Sequence, residues 1–505
     1  MSWQKRLRRF AVFALVGLLA VAAAAASSLG ARQDSSKVRI GLSGPTNTLD
    51  PATGQTASDY IPNILVSGQL YRWNRKRVPE LDLLASSKVS KDERTVTQTL
   101  KLGLKYSDGT PVVAQDAVYS LERARKGPGG PFFRRVKSVT APNDLTIVWK
   151  LTAPYPDFPD ALSQQYILLH PWKQIEAKGA AEYFKKPVSA GPLVVTNWIP
   201  GGPSLMTTAN PNYWRAPVVE SVEFVAVQDL TSRALQLSQG ALDFVADLPF
   251  AAKGTFPSEV RQFAQPQAGM FHITTNLSKT TGPLSDPRIR QVISLAMDRA
   301  NVAEKAYAGL PKPGCSQLYA VEPYSCTLPF DGVQNLAAAR ALLKQTAYPK
   351  GFSFELQVWI RPGWPEAALL IAQDLAKIGI TAQVSPIEAA VATANLASGN
   401  FEAQYSGNVG SPSFFLQNLY YPGTFWASAA RFKDRQTVKL VDRGTLTPDP
   451  ARRKRLFEAA ERSAYKIMPH IPIVERVVFR GSRLPDSVLG SVTPGEVLII
   501  GTRAR

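Results

Sequence analysis

The chain has 505 residues, 45% hydrophobic and 19% charged, with 34 glycines and 39 prolines. That composition is globular, long enough for two or three packed lobes, and neither disordered nor collagen-like. Two cysteines exclude a disulfide-dense scaffold and a four-cysteine zinc site, and the scattered His170, His272 and His470 offer no local metal motif. Lys and Arg outnumber Asp and Glu by 58 to 39, a net +19 that favours anionic partners or surfaces. The densest basic runs, Arg72/Arg75/Lys76/Arg77 and Arg452–Arg455, belong to no aromatic-interleaved basic stripe, so no nucleic-acid partner is expected.

In chain order, residues 1–31 come first and read as an export signal. Lys5, Arg6, Arg8 and Arg9 form a positive n-region, Phe10–Ala26 is an unbroken run of apolar residues and glycine, and small residues follow. Cleavage fits after Ala26 or Ala31; retention as an anchor is the alternative, because the run is just short of a typical span. With no cysteine near that region a lipoprotein anchor is excluded, and removal of the four cations takes the +19 down to +15.

Lys37–Leu42 alternates polar and apolar residues as a strand does, as do Arg94–Leu102 and Leu145–Leu151. Between them, Ser107-Asp108-Gly109-Thr110-Pro111 reads as a tight turn, and Ala114–Ala124 has helical spacing, with Asp116 near its start where a carboxylate suits the helix dipole. Leu193–Trp198 reads as a strand entering a hairpin turn at Pro200–Pro203. Helical windows follow at Arg288–Ala300, at Pro365–Lys377 with Gly379 as its stop, and at Arg453–Met468 with a solvated basic face. Cys315 and Cys326 flank a loop-like, proline-containing stretch, and an exported chain favours a local disulfide between them. Mixed strands and helices without a long repeat indicate an α/β chain. There is no GxxxxGK[ST] loop, no GxSxG elbow and no HExxH helix, so an exported hydrolase is only a remote alternative and no cofactor is expected.

Leu104–Ala124 (LKYSDGTPVVAQDAVYSLERA) resembles the signature segment of the family 5 extracellular solute-binding proteins, the peptide, nickel and opine receptors of bacterial ABC importers. Ser138–Phe158, Ala190–Trp214, Leu235–Pro249, Thr275–Val302 and Leu369–Val384 match further segments in the family's order. The resemblance implies a clamshell of the type II periplasmic binding protein kind with an extra third domain. Lobe I would comprise residues 36–70, 188–275 and 472–505, the extra domain 71–187, and lobe II 276–471. It also implies a periplasmic, monomeric receptor. Such a receptor captures a peptide or peptide-like solute by closure and delivers it to membrane permease and ATPase subunits, without chemistry on the ligand.

The resemblance extends to individual residues. Asn408, in Tyr405-Ser406-Gly407-Asn408-Val409-Gly410-Ser411-Pro412, stands where the peptide receptors carry the acid that holds the ligand's ammonium, and Ser411 where a second acid is common. A neutral amide cannot pair with an ammonium. Recognition of a free amino terminus therefore requires a shifted register or an acid from elsewhere, such as Asp59 or Glu402, or else the solute is a non-peptide one: an opine, a sugar acid or a metal chelate. Arg361 falls close to a carboxylate-binding arginine of the family, and its planar fork suits that ligand. Trp364 either walls the pocket or belongs to the core. Ser43 and Asn47, after the first strand, and Tyr405 and Phe414 on the opposite lobe complete the expected ligand set.

Overall fold

A computed structural model of the protein describes residues 36–503, apart from 55, 75–77, 165, 319–325, 327–331, 493–497 and 501. The export-signal reading of residues 1–31 lies outside the described residues.

The alternating segments are strands. Lys37–Leu42, Thr95–Leu100 and Thr146–Leu151 each bury every second residue, as a half-covered sheet requires. Leu193–Trp198 and Ser204–Ala209 form the expected antiparallel hairpin, and Gly201 takes the positive φ, 74°, that its turn demands. The window at Arg288–Ala300 is two helices, Pro287–Ala296 and Arg299–Tyr307. The break is chemical: the Asp298 side chain accepts from Asn301 N at 3.0 Å and caps a new helix, while its own backbone N–H donates to Asp374 at 2.8 Å. The later windows are helices at Trp364–Ala376 and Pro450–Tyr465, the second capped by Asp449. The basic face of Pro450–Tyr465 is partly paired, with Arg453 on Asp157 at 2.7 Å.

A ten-stranded sheet runs through the molecule in the order Leu193–Trp198, Ser204–Ala209, Ser221–Ala226, Lys37–Leu42, Phe244–Val245, His470–Ser482, Arg261–Thr275, Ala403–Val409, Phe352–Trp359 and Ile380–Ile387. Its middle is made of two long strands. Arg261–Thr275 and His470–Ser482 pair antiparallel along most of their length, with the register shifting between Pro266 and Met270. At one end His470–Ser482 pairs with Phe244–Val245; at the other, Arg261–Thr275 pairs with Ala403–Val409. The two halves of the sheet are thus joined through shared strands. Separate hydrophobic clusters cover each half, one built around Val38, Ile40 and Phe224, the other around Ile293, Leu356 and Ile371.

Residues 71–187 add a four-stranded antiparallel sheet, Leu84–Val89, Thr95–Leu100, Thr146–Leu151 and Val136–Asn143, against the helix Ala114–Lys126. Asp116 accepts from Val113 N, Trp172 N and Tyr106 Oη, and burial pushes its carboxyl up to about 6 against those hydrogen bonds. Asp82 fastens this unit to the hairpin, accepting from Tyr213 Oη at 2.9 Å and Trp214 Nε1 at 3.0 Å. Cys315 and Cys326 are bridged as a disulfide.

Candidate ligand-binding site

Beside the central strands lies a cavity of about 40 Å³. Asp247, Leu248 and Phe250 come to it from the segment after Phe244–Val245, and Val477–Phe479 from the central strand beside Arg476. Phe271 comes from the other central strand, and Arg361, Pro362 and Trp364 from the far half. Both halves therefore contribute walls, and the connecting strands form the floor.

Arg361 is presented by a tight turn after the strand Phe352–Trp359. Trp364 N donates to Arg361 O at 3.1 Å, and Gly363 between them has φ 77°. A Cβ at Gly363 would lie 2.5 Å from the Tyr307 ring, so this close approach requires glycine. The Arg361 guanidinium sits 5.3 Å from the Trp359 ring and 5.8 Å from the Trp364 ring, within cation–π range of both, beside a pair of rings that are themselves 5.8 Å apart. Its Nε is buried with no hydrogen-bond partner. A buried guanidinium N–H without an acceptor is unfavourable unless a ligand supplies one, and a carboxylate is the matching acceptor. Asp247, the one acid lining the cavity, is already paired with Arg233 at 3.2 Å. Arg361 and Arg476 are the basic residues lining the same space.

Behind Trp364 stands an aromatic stack. Trp364 packs edge-on to Phe271 at 5.4 Å and tilts against Tyr405 at 5.4 Å; Phe271 stacks on Tyr307 at 5.2 Å. Tyr405 is fully buried, with its hydroxyl 2.7 Å from that of Tyr307, and burial raises both phenols so that they stay neutral. Tyr405 therefore supports the cavity wall rather than lining it.

The structure brings Arg361 and Trp364 together at the cavity with Tyr405 packed behind Trp364, and none of the other expected residues lines it. Asn408 is three positions from Tyr405 on the strand Ala403–Val409, so the two side chains leave on opposite faces. The Asn408 amide donates to Phe415 O at 3.2 Å and accepts from Asn418 Nδ2 at 3.1 Å, which occupies both ends of the group. Phe414 stacks on Phe132, and Ser411 donates to Asp160; both hold the helix Pro412–Tyr420 against the segments Gly130–Phe133 and Phe158–Leu162. Burial pushes the Asp160 carboxyl up to about 6, against the hydrogen bonds from Ser411 and Trp73. Ser43 and Asn47 lie in the loop after the first strand, where Asn47 N donates to Asp59 at 2.8 Å. Asp59 also receives Thr48 N and Thr56, and Glu402 receives Glu355 N at 2.8 Å, so neither alternative acid faces the cavity with a free carboxylate.

Asp247, Phe250, Arg476 and Phe479 were not legible as site residues. The one sequence signal at the C-terminal strand is the appearance of Glu475, Arg476 and Arg480 inside the apolar run His470–Ser482. Among the described residues no group of three or more His, Cys, Asp and Glu side chains is placed to hold a metal ion, and no helix is long and apolar enough to cross a membrane.

Residues 79–427 match the model of the bacterial extracellular solute-binding proteins, family 5 Middle. The glutathione-binding protein GsiB of Escherichia coli (strain K12) is 26% identical over 501 residues, covering 92% of this chain and 94% of that protein. Among solved structures, the fold is similar to that of a dipeptide-binding protein of Pseudoalteromonas sp. SM9913 in complex with Met-Leu (TM-score 0.81, 17% identity, 93% of this chain and 100% of that one). It is likewise similar to AgaA of A. tumefaciens R10 in complex with agropinic acid (TM-score 0.79, 23% identity, 92% and 98%). The divided sheet with shared central strands, the cavity between its halves and the match over most of the chain lead to one conclusion: this protein belongs to the family 5 bacterial extracellular solute-binding proteins.

Proposed function

We propose that the chain captures a carboxylate-bearing peptide or peptide-like solute between its two lobes and delivers it to the permease and ATPase of an ABC importer. The observation that carries this reading is the buried, unpartnered Nε of Arg361, held beside two tryptophans at the cavity wall. Asp247 and Arg476 join Arg361 and Trp364 as its proposed neighbours. The cavity's 40 Å³ is far below the roughly 300–1,000 Å³ that a small-molecule site occupies, so the solute enters when the lobes part and holds them further apart than here when they close on it. The lobes are proposed as 36–70, 188–275 and 472–505 against 276–471, with 71–187 as the added unit. Binding and closure alone account for this arrangement; no bond of the solute is broken. The same reading makes the chain a monomer of the periplasm, exported on residues 1–31 without a lipid anchor.

A second reading is favoured by Asn408. Its amide is neutral and committed on both sides, so it offers nothing to a free amino terminus, and a non-peptide anion such as an opine, a sugar acid or a metal chelate would not miss it. The decisive experiment is to purify the protein from its export compartment, denature it and identify the released molecules by mass spectrometry. Short peptides are expected; a single non-peptide acid would select the second reading, and a solute without any carboxylate would overturn the role given to Arg361.

A further inference from the structure

A groove of about 970 Å³ shares no lining residue with the Arg361 cavity. It lies between the extra domain and the helix Arg435–Thr445 with the loop before it. Its rim is basic: Arg134 and Arg135 on one side, Arg431, Lys433, Arg435 and Lys439 on the other, against one acid, Asp442. That acid is engaged through its Oδ1. Arg134 reaches it at 2.6 Å, Arg135 pairs with it too, and Tyr421 Oη donates to it at 2.8 Å. Arg431 is spent on the carbonyls of Ser428 and Ala397, both at 2.8 Å. Lys433, Arg435 and Lys439 are exposed and form no ion pair among the described residues.

This clustering is unfavourable for the chain by itself. Arg435 and Lys439 are like charges at i and i+4, and Arg443 continues the series one turn further. Arg435 also occupies the first turn of its helix, where the dipole disfavours a cation. Folding gains nothing from the arrangement, whereas an anionic partner would relieve it. The groove is also not purely polar: Pro422, Ala427, Phe432 and Val438 line it between the cations. Its exposed cations run from Lys433 in the loop to Lys439 one turn into the helix Arg435–Thr445, an extended row and not the single point that a small anion occupies. We infer that this groove is a docking site for an acidic, amphipathic peptide segment of a partner protein, acidic side chains on the rim and apolar ones on the floor.

The test uses the mature chain and a short fluorescent peptide of mixed Glu and Leu, blocked at both termini so that it offers no terminal amine or carboxylate; its Glu side chains remain, and the Arg361→Ala control accounts for them. Anisotropy is expected to report binding that weakens as salt rises and falls by about tenfold or more in the triple variant Lys433→Glu/Arg435→Glu/Lys439→Glu. Should that variant unfold, the triple Gln substitution at the same positions gives the same reading with a smaller change. Arg361→Ala is expected to leave this binding intact, which separates the groove from the solute site. Unchanged binding in the triple variant overturns the proposal. So does equal binding of poly-Glu, which lacks apolar side chains, or displacement of the peptide by phosphatidylglycerol vesicles.

Discussion

Phe414 and Phe132 stack with ring centroids 4.1 Å apart and planes 21° from parallel, joining the helix Pro412–Tyr420 to the segment Gly130–Phe133. This contact, with Ser411 on Asp160 beside it, makes the segment after Asn408 a fastening between structural units. Phe414→Ala is expected to destabilise the protein by about 2 kcal/mol, less than a fully buried phenylalanine because the ring is half-buried. The shift in denaturant midpoint measures it, and binding of solute to the folded variant should be nearly unchanged.

Arg361→Ala should leave the unliganded protein close to wild-type stability, because the side chain loses only its contacts with Trp359 and Trp364. Affinity for a carboxylate solute should fall on the order of 10- to 100-fold, the loss of a charge-assisted hydrogen bond. Calorimetric titration with the solute identified by mass spectrometry reads this directly. Unchanged affinity would remove Arg361 from the site.

Asn408→Asp tests the amide. The substitution keeps an acceptor for Asn418 Nδ2 but places a carboxylate oxygen against the Phe415 carbonyl, where the amide now donates. The unliganded variant should lose about 1–3 kcal/mol. If free-amino peptides restore its melting temperature and bind more tightly than to wild type, the substituted carboxylate reaches the ligand and the native solute lacks that amine. Destabilisation without any gain for peptides would confine Asn408 to a structural role.

Stability should depend on pH through Glu461, whose buried carboxyl is pushed up to about 7 although Leu318 N donates to it at 2.9 Å. A carboxyl held above its ordinary value binds its proton more tightly in the folded state. Its stabilising contribution is therefore complete below the unfolded value and is lost as pH rises through about 7. Asp116 and Asp160, each near 6, act in the same direction. Denaturation between about pH 5 and 8 should show wild type weakening toward the alkaline side. Glu461→Gln should be more stable at the alkaline end, by on the order of 2 kcal/mol, and its profile flatter.

The Cys315–Cys326 bridge closes a loop of sequence separation 11, for which chain entropy gives about 3 kcal/mol. Replacing both cysteines by serine should lower the denaturant midpoint accordingly, and reduction of the wild type should reproduce that midpoint.

Local pattern made the individual elements legible. Thr95–Leu100 and Thr146–Leu151 are visible because each alternates cleanly, and Trp364–Ala376 because its apolar spacing ends at Gly379. The break between Pro287–Ala296 and Arg299–Tyr307 was not, because the hydrophobic spacing runs straight through it and the deciding contact comes from Asp374, 76 residues away. The site divides in the same way. Arg361 and Trp364 are neighbours in sequence and in space, whereas Asp247 and Arg476 reach the same cavity only through the pairing of the central strands. Tyr405 and Asn408 look alike as pocket candidates until strand alternation sends them to opposite faces.

The position of His470–Ser482 has a consequence for how the molecule comes into being. This strand is the last long one in the chain, yet it sits in the middle of the ten-stranded sheet, between Phe244–Val245 and Arg261–Thr275. Until the ribosome has delivered it, neither half can be joined to the other through the sheet, and its register partners have waited through some two hundred intervening residues. Pairings of such long range form slowly. A nascent chain that cannot complete its centre leaves its two halves unjoined through the sheet until synthesis is nearly finished.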